Sequence, residues 1–180
     1  MKKNLFLVVF MIVAIASQAQ GGPKNVVKIN PLSLIVATGN ISFERAVSQN
    51  KSVQLGAYYS GIGLGDFKYD GYGITPEFRF YFGAMGAALN GGYVAPFARY
   101  QNFSITNKET KERATFETVG GGAIAGWQRS WQSGFTLDIF AGPSYSNIKF
   151  KDRTQEEDFD VKYGMKGLRL RTGISLGVSF

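Results

Sequence analysis

From Tyr72 to Phe82 the chain alternates residue by residue. Tyr72, Ile74, Pro76, Phe78, Phe80 and Phe82 share one parity, while Gly73, Thr75, Glu77, Arg79 and Tyr81 share the other. Neighbouring side chains of a strand point to opposite sides, so this run makes one greasy face and one polar face. The last stretch repeats the pattern, with Leu168, Leu170, Thr172, Ile174, Leu176, Val178 and Phe180 set against Arg169, Arg171, Gly173, Ser175, Gly177 and Ser179. A third run sets Phe135, Leu137, Ile139, Ala141, Pro143 and Tyr145 against Thr136, Asp138, Phe140, Gly142, Ser144 and Ser146. No long apolar period of 3.6 residues interrupts them. Turn-rich breaks between such runs predict eight strands, over 26–37, 41–48, 52–62, 71–83, 92–104, 115–129, 134–147 and 166–180. The first strand carries Pro31, which is expected to mark a bulge that flips its phase. In the fifth, Arg99 and Gln101 are taken as polar-facing, which puts Tyr93 and Phe97 on the same side.

Alternation does not say which face points inward, and that choice decides the function. A soluble lipid-carrier barrel keeps its apolar face inside, whereas a membrane barrel turns it outward. Eight strands enclose little space, and an apolar face of roughly five large residues per strand overfills it. The polar face holds Gly56, Gly73, Gly122, Gly126, Gly142, Gly173 and Gly177, which suits a tight interior better than a wet surface. Glu44, Glu77 and Asp138 share that face with Arg79, Arg99, Arg169 and Arg171. Buried charges persist when paired, so these seven are expected to form a lumen salt-bridge network. Ile74, Phe78, Phe80, Leu137, Ile139, Leu170, Ile174, Leu176 and Val178 are then expected to face lipid. Aromatics gather near strand ends at Tyr58, Tyr59, Phe67, Tyr69, Tyr72, Phe80, Tyr81, Phe82, Trp127, Trp131 and Phe150. Of these, Tyr72, Phe82, Trp127 and Trp131 are the expected membrane-interface residues.

The first segment reads as an address. Lys2 and Lys3 precede an apolar stretch from Leu5 to Ala16, and Ser17-Gln18-Ala19 offers a cleavage site. Twelve apolar residues are too few for a membrane helix, which needs about 20. The expected organisation is a signal peptide over 1–19 and a single barrel domain over 20–180. With the N-terminus on the inner side, the charged connections Asn107–Arg113 and Lys149–Tyr163 fall outside, where longer loops are expected.

Composition removes much of catalysis. The 180 residues contain no Cys and no His. Disulfide frameworks, thiol nucleophiles, Cys- or His-ligated metals and Ser-His-Asp hydrolysis all fall away. The formal charge of +7 is spread thinly, with only 18% of residues charged, so nucleic acid is not an expected partner. Gly120-Gly121-Gly122-Ala123-Ile124-Ala125-Gly126 lacks the Lys-Ser/Thr ending of a phosphate-binding loop. Asp152, Glu156, Glu157, Asp158 and Asp160 lack the spacing of a calcium loop and read as a solvated loop. Glu44, Glu77 and Asp138 are poor general acids, because arginine neighbours keep them ionised. No enzyme activity, metal or cofactor is expected.

A signal peptide, eight alternating strands, Gly-aromatic strand tips and a terminal Phe180 resemble small eight-stranded outer-membrane barrels of the OmpA/OmpX/OmpW-like class. Lys28-Ile29-Asn30-Pro31-Leu32-Ser33 and Ile41-Ser42-Phe43-Glu44-Arg45 resemble, more narrowly, a Bacteroidetes family of short outer-membrane barrels of unknown function. The resemblance covers residues 26–180. It implies an all-β, antiparallel up-and-down transmembrane barrel in the outer membrane of a Gram-negative bacterium. It also implies export by the secretion translocon and insertion by the barrel-assembly machinery, which reads a C-terminal strand ending in an aromatic. Leu176, Val178 and Phe180 match that insertion signal, although Ser175 stands where a glycine is expected. The resulting expectation is a monomer among outer-membrane lipids, an envelope or surface-binding scaffold whose loops 107–113 and 149–163 meet a surface ligand. Two rivals remain: a narrow gated passage for small solutes or lipid-like molecules, and a secreted soluble lipid carrier.

Overall fold

The computed structural model describes residues 24–64, 66–108, 113–152 and 167–180. The proposed signal peptide lies outside the described residues, as do positions 109–112 and 153–163 of the two charged loops. Eight strands follow in chain order: β1 Asn25–Ile29, β2 Thr38–Ser48, β3 Lys51–Leu64, β4 Phe67–Ala87, β5 Asn90–Asn107, β6 Arg113–Ser130, β7 Phe135–Asp152 and β8 Gly167–Ser179. Each pairs antiparallel with the next, and β1 pairs with β8 to close the barrel. At the closure Val26 faces Ser179 and Ile29 faces Leu176. Phe180 seals the join, donating its amide to Asn25 O and accepting from Asn25 N, both at 2.9 Å. A closed ring leaves no unpaired edge where its strands are matched, which hydrocarbon demands.

Two features differ from the pattern-based expectation. Strand one was expected to run to residue 37 with a bulge at Pro31, but it stops at Ile29, and Pro31–Val36 form a 3-10 turn. Proline has no amide hydrogen for the ladder and suits the first position of a helical turn. Asn30 caps that turn, its Oδ1 accepting from Ser33 N at 3.2 Å, and Ala37 ends it with φ of 46°. The tall hairpins are also longer than the alternation suggests. β3 and β4 pair in register out to Leu64 and Phe67, through residues that looked like loop. Glycines at 61, 63, 71 and 73 weaken the alternation there without stopping the ladder.

The parity assignment in β4, β7 and β8 matches the sequence pattern. Glu77, Arg79, Asp138 and Ser175 are buried inside, while Ile74, Ile139, Leu170 and Val178 lie on the outer wall. β5 also follows its expected phase, with Tyr93 and Phe97 turned inward. The interior is not purely polar. Tyr81, Tyr93, Ala95, Phe97 and Ile124 form an apolar cluster within the barrel, joined by Phe140.

Candidate functional site

Among the described residues, the interior of the barrel holds the most specific chemical arrangement. Lys28 enters from β1, Glu44 from β2, Ser52 from β3, and Glu77, Arg79 and Tyr81 from β4. Tyr93 comes from β5, Gln128 from β6, Asp138 from β7 and Arg171 from β8. Every strand therefore contributes. The alternation forces this, because each of these residues occupies the inward parity of its strand.

Lys28 sits at the centre. Its ammonium group donates to Glu44 Oε2 at 2.6 Å, to Gln128 Oε1 at 2.8 Å and to Asp138 Oδ2 at 2.8 Å. Three donors thus meet three acceptors, the full capacity of a lysine. Arg79 spans the same space. Its Nη1 reaches Asp138 Oδ2 at 2.8 Å and Gln128 Oε1 at 3.1 Å, and its Nη2 reaches Glu77 Oε2 at 2.9 Å. The Arg79 guanidinium also lies over the Tyr93 ring, 4.4 Å from its centroid. Neutral donors complete the carboxylates. Tyr81 OH donates to Glu44 Oε1 at 2.6 Å, Tyr93 OH to Asp138 Oδ1 at 2.7 Å, and Ser52 Oγ to Glu44 Oε1. Arg171 reaches across from β8 to Glu77 Oε1 at 2.6 Å. All six oxygens of the three carboxylates are bonded, and three carboxylates balance Lys28, Arg79 and Arg171.

Removing so many charges from water is costly, and the arrangement survives because each ion keeps an opposite charge and filled hydrogen-bond sites. Lys28, Glu44, Arg79 and Asp138 are all at most 1% exposed. The cluster is therefore shut off from solvent. It lies toward the rim carrying the chain termini, where Gln128 Nε2 also donates to Leu89 O in the β4–β5 turn at 3.3 Å.

Of the seven residues expected in the network, the structure brings together Glu44, Glu77, Arg79, Asp138 and Arg171. Arg169 is a correction. It keeps the inward parity but lies exposed near the far end of β8, away from the cluster. Arg99 is another. It stands inside the barrel, yet its Nε donates to Thr75 Oγ1 at 3.2 Å rather than to a carboxylate. Sequence reasoning missed Lys28, Ser52, Tyr81, Tyr93 and Gln128 as members. Val27-Lys28-Ile29 does alternate, but the continuation through Pro31 obscured that signal. Two of the aromatics that gather near strand ends, Tyr58 and Tyr81, turn inward. Tyr81 is buried in the lumen, and Tyr58 accepts from the inward-facing Gln101 Nε2.

The outer wall carries the complementary surface. Ile74, Phe80, Ile139, Leu170, Ile174 and Val178 are exposed, and Phe78, Leu137 and Leu176 share their outward parity. Ile41, Phe43, Val53 and Leu55 extend the band over β2 and β3. Exposed aromatics fall at two levels. Phe82 and Trp127 flank Gly92 in one cross-strand row near the termini, with Trp131 in the adjacent β6–β7 turn. Tyr72 faces Tyr59 toward the opposite rim.

Comparison with known proteins places this geometry. A family profile described as "Protein of unknown function (DUF3575)" matches residues 5–180. No curated protein matches the chain. Among solved structures, the chain resembles the surface protein NspA of Neisseria, with a TM-score of 0.55 and 13% identity. It also resembles the N-terminal β-barrel domain of Pseudomonas aeruginosa OprF, with a TM-score of 0.53 and 14% identity. Each likeness covers 89% of this chain and 100% of the other. The fold is that of the small eight-stranded outer-membrane barrels.

Proposed function

The chain belongs to the DUF3575 family of proteins of unknown function, and from its geometry we propose that it is an integral outer-membrane β-barrel, a non-enzymatic scaffold with a side-chain-filled lumen. The observation that carries this reading is the inverted distribution of polarity. Lys28, Glu44, Arg79 and Asp138 are buried at the centre, while Leu55, Ile139, Leu170 and Val178 are open on the outer wall. A protein in water gains by the opposite arrangement. In a bilayer the apolar band is solvated by acyl chains, and every ladder bond is kept. The same distribution argues against a soluble lipid carrier.

The scaffold part of the proposal follows from the ionic cluster. Side chains from all eight strands fill the lumen and lock the strands together, which favours a rigid support over an open passage. Binding, on this reading, belongs to the connections at the rim opposite the termini, including residues 107–113 and 149–163. In the cell the protein would be exported behind residues 1–19 and inserted through the signal ending in Phe180. Its partners would be outer-membrane lipids, and it would act as a monomer.

Cell fractionation, combined with gel mobility before and after boiling, tests the reading. The expected result is recovery in the outer membrane, with a mobility shift on boiling. Recovery of the mature chain as a detergent-free soluble protein would contradict it.

A further inference from the structure

Just beyond the ionic cluster, toward the rim opposite the termini, one row of inward-facing positions carries mostly small side chains. The row runs Ser42, Gly56 and Thr75 over β2, β3 and β4. It continues as Arg99, Gly120 and Ser146 over β5, β6 and β7. The hydrogen bond from Arg99 Nε to Thr75 Oγ1 joins the two halves. Arg99 is the one large side chain in this row. It has no carboxylate partner among the described residues, and it keeps part of its surface accessible.

Among the described residues the buried charges around it do not balance. Lys28, Arg79, Arg99 and Arg171 stand with Glu44, Glu77 and Asp138. Arg171 spends Nη2 on Glu77, while its Nε and Nη1 have no hydrogen-bond partner. Both guanidinium groups lie against the Phe97 ring, Arg171 at 4.4 Å and Arg99 at 5.9 Å from its centroid. The row of small residues is also bordered by an unpartnered hydroxyl, which can donate. Thr118 Oγ1, in the row of Gln101, has no hydrogen-bond partner. Thr118 is 3% exposed. Buried polar groups without a partner are rare in native proteins and call for an explanation.

We propose that this half of the lumen binds a small oxyanion, a phosphate or a carboxylate, on Arg99, with Arg171 as the second cation. A guanidinium fork matches the geometry of either group, and Arg99 is not committed to the cluster below. An added negative charge would balance the fourth cation among the described residues of the lumen. This site goes beyond the scaffold reading and involves none of the rim connections.

Arginine side-chain Nε–H resonances of the protein in a non-ionic detergent report on the site directly. Sodium phosphate and sodium acetate are titrated separately at constant ionic strength. The Arg99 signal is expected to shift saturably in at least one titration, and the titration that saturates identifies the oxyanion class. The exposed Arg169 is expected to show no saturable shift. In Arg99→Gln the response of Arg171 should weaken by about tenfold or more in apparent affinity. That variant removes no partner from the ionic cluster, so a boiling-dependent mobility like the wild type's establishes that it is folded. An Arg99 signal that moves no more than that of Arg169 in both titrations would overturn the proposal. So would an unchanged Arg171 midpoint in Arg99→Gln.

Discussion

Lys28 has three protons to give and three acceptors within 2.8 Å, and two of those acceptors are carboxylates. Taking the lysine away leaves Glu44 and Asp138 buried with Arg79 as the one cation bonded to both. Lys28→Met is therefore expected to cost about 3–5 kcal/mol, as for other broken buried pairs. Urea-induced unfolding in detergent measures this. Arg169→Met provides the contrast, since Arg169 is exposed, and its change is expected to stay within about 0.5 kcal/mol. Equal losses in the two variants would remove Lys28 from the centre of the network. Glycines matter at the same scale. A Cβ on Gly126 would lie 2.5 Å from Tyr93 Cζ and 2.8 Å from Ile139 O. Gly126→Ala should push Tyr93 off Asp138 and cost about 1–3 kcal/mol by overpacking. The same unfolding measurement checks it.

At the scale of elements, legibility follows the physics of the pattern. β4, β7 and β8 alternate over most of their central residues, so a period of two separated Arg79 from Phe80 and Asp138 from Ile139 without coordinates. The fine composition of the cluster was less accessible. Tyrosine and glutamine read as ordinary strand residues in a linear chain, and only cross-barrel distances reveal Tyr81, Tyr93 and Gln128 as partners. Arg169 and Arg171 share a parity, so alternation cannot tell them apart. Their height along the strand decides, and height depends on register. β1 shows how a local conflict hides an element. Leu32, Leu34 and Val36 continue the parity of Lys28, so one apolar run seemed to extend a strand that Pro31 ends. The cap on the 3-10 turn is expected to hold the entry into β2. Asn30→Ala should cost about 1 kcal/mol, in the range of lost N-terminal caps. An unchanged unfolding midpoint would mean that Pro31 alone fixes the turn.

For the whole molecule, the ionic interior and the apolar wall depend on each other. A lumen that binds all eight strands lets the outer face be chosen for lipid alone, and the closed ladder removes the edge that would otherwise require water. A charge on the wall should then be penalised according to depth. Ile139→Arg is expected to destabilise the protein by about 2–4 kcal/mol in bilayers if it lies near the midplane. Folding titrations into vesicles measure that penalty.

The orientation itself is tested most directly along β7. The chain has no cysteine, so single-cysteine variants from Phe135 to Tyr145 can each carry one spin label in a bilayer. Oxygen dissolved in the acyl chains should give maximal relaxation at 135, 137, 139, 141, 143 and 145, with minima at the even positions between them. Maxima at the even positions, or high accessibility of the odd ones to a water-soluble nickel complex, would contradict a barrel that keeps its ions inside and its hydrocarbon surface to the lipid.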